Sequence, residues 1–226
     1  METLDSLGAN VDIVNIFVRS FRPMTRAAYH HGDLRRALLA AGERLLRQDG
    51  VAGLSLRSVA KAAGVSHTAP YRHFADKQAL LAALAEIGFT RLRDGMAAAA
   101  AKHPGDPRRQ LVEAGVVYVR LATAHPEMTH LMFGGVLPDS AVDEDQRRTA
   151  QQAFQGLVGI IEEGIRAGAF VDRPPLELAA SAWSLMHGLA MLLTTGRLGR
   201  TGAAKLRPET LARRVAEHLV DGIAAR

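Results

Sequence analysis

Between residues 50 and 75 the chain carries Arg57, Lys61, His67, Thr68, Tyr71, Arg72 and His73, with Lys77 just beyond, and no acidic residue. Guanidinium, ammonium, imidazole and hydroxyl groups are the donors that phosphate oxygens and base edges accept. Such a run is the chemistry of a polyanion-binding face, yet a solvated helical hairpin uses the same residue types. The backbone that must hold these donors on one side separates the two readings.

That backbone reads as two short helices on a sharp turn. Ser55 stands at an N-cap position, and Leu56, Val59, Ala60 and Ala63 follow at helical spacing. Gly64 accepts the left-handed backbone of a helix end. Ser66 can cap a second helix that runs through His67, Thr68, Ala69, Tyr71, Arg72 and His73 to Phe74, with Val59, Val65 and Phe74 as the buried seam. Pro70 falls near the start of that helix, where it removes a backbone donor and biases Ala69 away from helical geometry, so a short or distorted first turn is expected. In a helix-turn-helix the second helix enters the major groove while the first crosses the backbone.

At these residues the chain resembles the TetR family of bacterial transcriptional regulators. The resemblance rests on Ser55, Ala63-Gly64-Val65-Ser66, Tyr71, His73-Phe74 and Lys77; it covers residues 34–84, and the remainder only in layout. It implies a double-stranded DNA operator as partner. Ser55, Arg57 and Lys77 are then expected on phosphates and His67, Thr68, Tyr71 and Arg72 toward the groove, with Ser66 and His73 in the same contact set.

The rest of the chain is punctuated as helices. Leu34, Leu38, Ala41 and Leu45 mark one over residues 32–49, ended by Gly50. Asp76 caps a long helix with Leu80, Leu81, Leu84, Ile87 and Leu92, which links the hairpin to the remainder and is the natural transmission element. Asp106-Pro107 opens a helix bearing Leu111, Gly115, Tyr118, Val119 and Ala122, and Pro126 starts a shorter one through Phe133. A helix is expected over residues 140–167 with Asp143, Glu144 and Asp145 in its first turn and Ala150, Phe154, Leu157, Ile161 and Ile165 inward. An almost wholly apolar helix over residues 176–195 implies burial on more than one side. The last, from Pro208, carries Leu211, Val215, Leu219 and Ile223 as its stripe. No strand pattern occurs, so the fold class is all-α with about nine helices. The expected division is a tail over residues 1–28, a three-helix module with the helix-turn-helix over 29–76, and a helical ligand-binding and dimerisation domain over 77–226.

Composition agrees. The 226 residues are 48% hydrophobic and 5% aromatic, which favours packed helices. A formal charge of +5 and a pI near 10.1 suit a polyanion partner. The absence of cysteine excludes disulfides and thiolate chemistry, as suits a cytoplasmic protein. Uninterrupted apolar stretches fall short of the roughly 20 residues of a spanning helix. Glu2 and Asp5 stand where a secretory signal carries positive charge, so neither membrane segment nor export signal is expected. In the tail, Arg19, Arg22 and Arg26 leave two readings: a basic arm that reaches a neighbouring minor groove, or a structureless tail, the commoner case for a terminal segment.

Trp183 and His187 share a helix face, and with Gly188 they resemble the Trp-His-Gly subgroup of TetR carboxyl-terminal domains. Joined by Tyr118, Met128, Met132, Phe133 and Phe154, they are candidates to line an apolar cavity for a small apolar effector; a plain core uses the same residues. The resemblance further implies a homodimer through the last two helices. Catalytic signatures are missing: there is no Gly-x-Ser-x-Gly, no His-Glu-x-x-His and no phosphate loop. The glycines at 196, 199 and 202 follow no strand, and His30-His31 lacks further ligands at metal spacing. No enzyme, cofactor or metal is therefore expected. A DNA-binding repressor released by a small molecule leads, followed by an effector-free DNA-binding dimer and then an enzyme with an incidental hairpin.

Overall fold

Ser55, Asp76 and Asp106 each accept a hydrogen bond from the amide three residues further on, at 3.0, 2.8 and 3.0 Å, and so start three helices where the sequence places them. The structure, a computed structural model, describes residues 31–200 and 206–225. The expected tail and His30 lie outside the described residues. Eight α-helices occur among those described: α1 (His31–Gly53), α2 (Leu56–Ala63), α3 (Lys77–Ala100), α4 (Pro107–Ala124), α5 (Pro126–Phe133), α6 (Glu144–Arg166), α7 (Pro175–Thr194) and α8 (Pro208–Gly222). Three 3-10 turns join them, at Ala69–Arg72, Asp139–Ala141 and Arg197–Arg200. The architecture is all-α; its one β-type pairing among the described residues is an isolated bridge between Phe170 and Ala224.

Two apolar cores form. The first gathers Leu38, Leu46, Leu54, Val59, Phe74, Leu80 and Leu84 from α1 to the start of α3, together with Leu131 of α5. The second surrounds α4, whose Leu111, Tyr118 and Val119 meet Ile161, Phe170, Ala179, Ala190 and Ala212 from later elements. Helix α3 serves both, giving Leu80 to the first and Leu92 and Met96 to the second. Short α5 does the same, because Leu131 and Phe133 point opposite ways from one turn.

Three expectations shift. Helix α6 begins at Glu144, not near residue 140, because Asp143 and Gln146 close a reciprocal capping box at 2.8 and 3.0 Å. In α8 the fully buried stripe is Ala212, Ala216 and Val220, with Leu211, Val215 and Leu219 only half-buried beside it. Small residues let α8 approach α4 closely and turn its larger ones toward the flank. Helix α7 buries Ala179, Ala182, Met186, Leu189 and Ala190 but leaves Leu176, Trp183, Leu185 and Leu192 exposed, so one chain covers one side of it. By length and mean hydropathy (1.3) its 20 residues would also suffice to cross a bilayer. Counting uninterrupted apolar runs hides this, since Ser181, Ser184 and His187 interrupt the run without lowering the mean much.

Candidate nucleic-acid interface and interior cavities

Helix α2 ends where Gly64 turns left-handed (φ 69°, ψ 30°), and the amides of Gly64 and Val65 return to Lys61 and Ala60. The expected second helix is shorter than the sequence suggests. A helix capped by Ser66 needs the residue-70 amide to reach the Ser66 carbonyl, and Pro70 has none. Ala69 N–H donates to that carbonyl instead, at 3.0 Å, and a 3-10 turn over Ala69–Arg72 follows with Thr68 at its cap. Ser66 Oγ lies 3.2 Å from Thr68 Oγ1, so it caps nothing. The expected distortion at Pro70 therefore extends through the whole element. Val59, Pro70 and Phe74 are buried beneath it, Val65 is half-buried, and the Arg35 guanidinium lies 5.6 Å over the Phe74 ring.

The donors above this core face solvent. Ser55, Arg57, Lys61, Ser66, His67, Thr68, Tyr71 and Arg72 are exposed; for the large aromatic Tyr71 the figure is 55%. Arg57, Lys61 and Arg72 make no ion pair among the described residues, whereas Arg36, Arg91, Arg93, Arg109, Arg148, Arg166 and Arg213 all do. Unpaired cations gathered on one face are free to meet phosphate. Two members of the expected set sit differently. Lys77 is half-buried and its Nζ donates to the Val51 carbonyl at 2.9 Å, tying α3 to the end of α1. His73 is half-buried with its ring 6.4 Å from Phe74. Ser55 Oγ, besides its cap, bonds the Ser58 hydroxyl.

In the second half an apolar cavity of about 680 Å³ opens between α3, α4, α6, α7 and α8. Tyr118, Phe133, Phe154 and Trp183 line it, as the sequence suggests. Met128 and Met132 do not; they border a separate cleft toward the first core, with Glu43, Arg47, Arg91 and His125. Leu92, Tyr118 and Phe133 lie in both linings and so form the partition. His187 stands behind the wall, its Nδ1 2.7 Å from Tyr118 Oη. Phe133 gathers the rings: Phe89 and His187 at 5.3 Å, Trp183 at 5.9 Å and Tyr118 at 6.2 Å. Burial pushes the Tyr118 phenol up to about 12 and the His187 imidazole below its usual value, so both are neutral near pH 7. His125 in the cleft is lowered too, by burial first and then by Arg47 and Arg91.

The sequence gives no signal for Phe89, which lies off the inward stripe of its helix, nor for the Arg91–Glu43 ion pair at 2.7 Å that bridges α3 and α1.

A helix-turn-helix with its cations unpaired, carried on an all-helical body, is a DNA-binding transcriptional regulator. Residues 38–84 match the family described as bacterial regulatory proteins, tetR family, and residues 111–219 match a tetracyclin repressor-like C-terminal domain. The chain belongs to the TetR family. It is similar to the HTH-type transcriptional regulator EthR of Mycolicibacterium smegmatis, 28% identical over 74% of this chain and 77% of that protein. The HTH-type transcriptional regulator AcrR of Shigella flexneri is 35% identical over 45% of this chain, a match spanning 46% of AcrR. A solved Rhodococcus sp. RHA1 protein of unknown function is 35% identical, with a TM-score of 0.78 over 88% of this chain and all (100%) of that one.

Proposed function

We propose that the chain is a homodimeric repressor whose grip on a double-stranded operator is released by a small molecule in the 680 Å³ cavity. The observation that carries this is the partition: Phe133, on the cavity wall, is two residues from Leu131, which is buried in the core beneath the DNA-facing turn. In this reading a ligand that displaces the Phe133 ring presses on α5, and α5 packs on both α1 and α3. The transmission route thus runs through α5 as well as α3.

In this reading residues 29–76 are the DNA-binding module and 77–226 the effector and dimerisation domain. Arg57, Ser55 and Lys77 serve phosphates; His67, Thr68, Tyr71 and Arg72 face the groove, flanked by Ser66 and His73. The bare α7 face at Leu185 and Leu192, with the half-buried flank of α8, supports pairing through the last two helices. Two DNA-facing turns must then lie about 34–36 Å apart to enter successive major grooves, and a ligand that favours another spacing lowers affinity. Trp183 and His187, with ring centroids 6.0 Å apart, are consistent with placement in the Trp-His-Gly subgroup, whereas at Gly188 a Cβ would meet open space and the packing does not itself demand glycine.

The test is selection of bound sequences from random DNA by the purified chain, repeated against a small-molecule library. Effector and operator must weaken each other equally. A ligand bound equally tightly with and without operator overturns release.

A further inference from the structure

The cavity wall is uneven in charge. Among the described residues that line it, Glu162 is the one charged side chain, with Gln151, Gln155 and Tyr118 as further polar members. Gln151, Gln155 and Glu162 recur on one face of α6 and are exposed, so they form the mouth. Glu162 makes no ion pair among the described residues, because Arg166, one turn on, pairs with Glu163. At the inner end the Tyr118 hydroxyl is bonded to His187, and both groups are uncharged near neutrality. Among the described residues no cation lines the cavity.

From this lining we infer that the cavity takes aromatic ligands that are neutral or positively charged, and that Glu162 at its mouth selects against anions. The inference rests on the reading of this cavity as the effector site. An anionic ligand would lose its hydration and find no cation to receive it, while meeting the Glu162 carboxylate. A cationic ligand meets that carboxylate and the faces of Trp183, Phe154 and Phe133. The uncharged hydroxyl of Tyr118 supplies a hydrogen bond that a neutral ligand can use.

Three probes sharing one ring decide it: 1-pyrenemethylammonium, 1-pyrenemethanol and 1-pyrenecarboxylate, titrated into the full chain. Trp183, the single tryptophan, lies in the wall and reports binding by quenching. The expected order is ammonium tightest, alcohol next and carboxylate weakest. Glu162→Gln, at an exposed position, should weaken the ammonium by about two- to fivefold, as expected for one solvent-screened charge pair, and leave the alcohol unchanged. Glu209→Gln, an exposed carboxylate in the first turn of α8 that does not line the cavity, changes net charge equally and should change neither. Carboxylate binding as tight as ammonium, or an equal loss in Glu209→Gln, overturns the charge selection while leaving an effector cavity in place. Binding of none of the three overturns both.

Discussion

Tyr118 of α4 and His187 of α7 stand 69 residues apart in sequence and share a hydrogen bond of 2.7 Å. It is a cross-brace between the central helix and the helix with the bare face. Tyr118→Phe leaves the imidazole without its partner and should lower stability by about 1 kcal/mol, read as a lower urea midpoint at unchanged slope. An unchanged midpoint would show that the brace contributes nothing.

His187 also sets a pH dependence. Burial holds its folded value below the ordinary 6.5, and burial with Arg47 and Arg91 does the same to His125. The unfolded chain therefore binds more protons below about pH 6.5. Stability is fully present above that pH and is lost as pH falls through the lowered values. Denaturation midpoints between pH 7.5 and 5 should decline, and His187→Gln should flatten part of the decline. A flat profile in the parent chain contradicts the assignment.

On the DNA face, Lys77→Ala should weaken binding to all sequences alike. A fall of about one in the salt slope places the ammonium on phosphate, whereas an unchanged slope assigns it to the Val51 tie between α3 and α1. Arg72→Ala should cost about 1–3 kcal/mol and relax preference at one base position. Uniform loss across sequences would put Arg72 on the backbone instead.

Leu185 is 40% exposed on the bare face of α7. Leu185→Glu should raise the dimer dissociation constant by about a hundredfold, as expected for a charge forced into an apolar interface, and operator affinity should fall with it. Sedimentation analysis checks the first and a gel-shift titration the second. A dimer of unchanged strength would move the interface elsewhere.

At Gly88 a Cβ would lie 2.5 Å from Met132 Sδ and 3.1 Å from Met128, so these two side chains of α5 pack directly on the α3 backbone there. Gly88→Ala should displace Met132 and cost about 1–3 kcal/mol. It should also change the ratio of operator affinities with and without effector, because it acts on the joint between the cores. An unaltered ratio would remove α5 from the coupling route.

Helix starts were legible because their chemistry is local: Ser55, Asp76 and Asp106 need only an amide three residues away. Ser66 offers the same local signal and fails, since one missing N–H at Pro70 outweighs a good cap. The α8 stripe misled for another reason. Hydrophobicity alone predicts that the leucines face inward, but close packing on α4 favours the alanines. At the cavity, residue type could not tell wall from core. Tyr118 and Phe154 line it while Met128 and Met132 border the cleft, and only the helix crossings decide which.

The 3-10 turn over Ala69–Arg72 limits how much text each half of the protein can read. At about 2.0 Å per residue, its four residues advance roughly 8 Å, little more than two base-pair steps of about 3.4 Å, and of the proposed groove contacts only His67 and Thr68 lie before it. Under the proposed DNA reading each half-site is then a short word. Most of the information in an operator would lie in the interval between two such words, so changing the spacer length should silence a site more thoroughly than changing most of its letters.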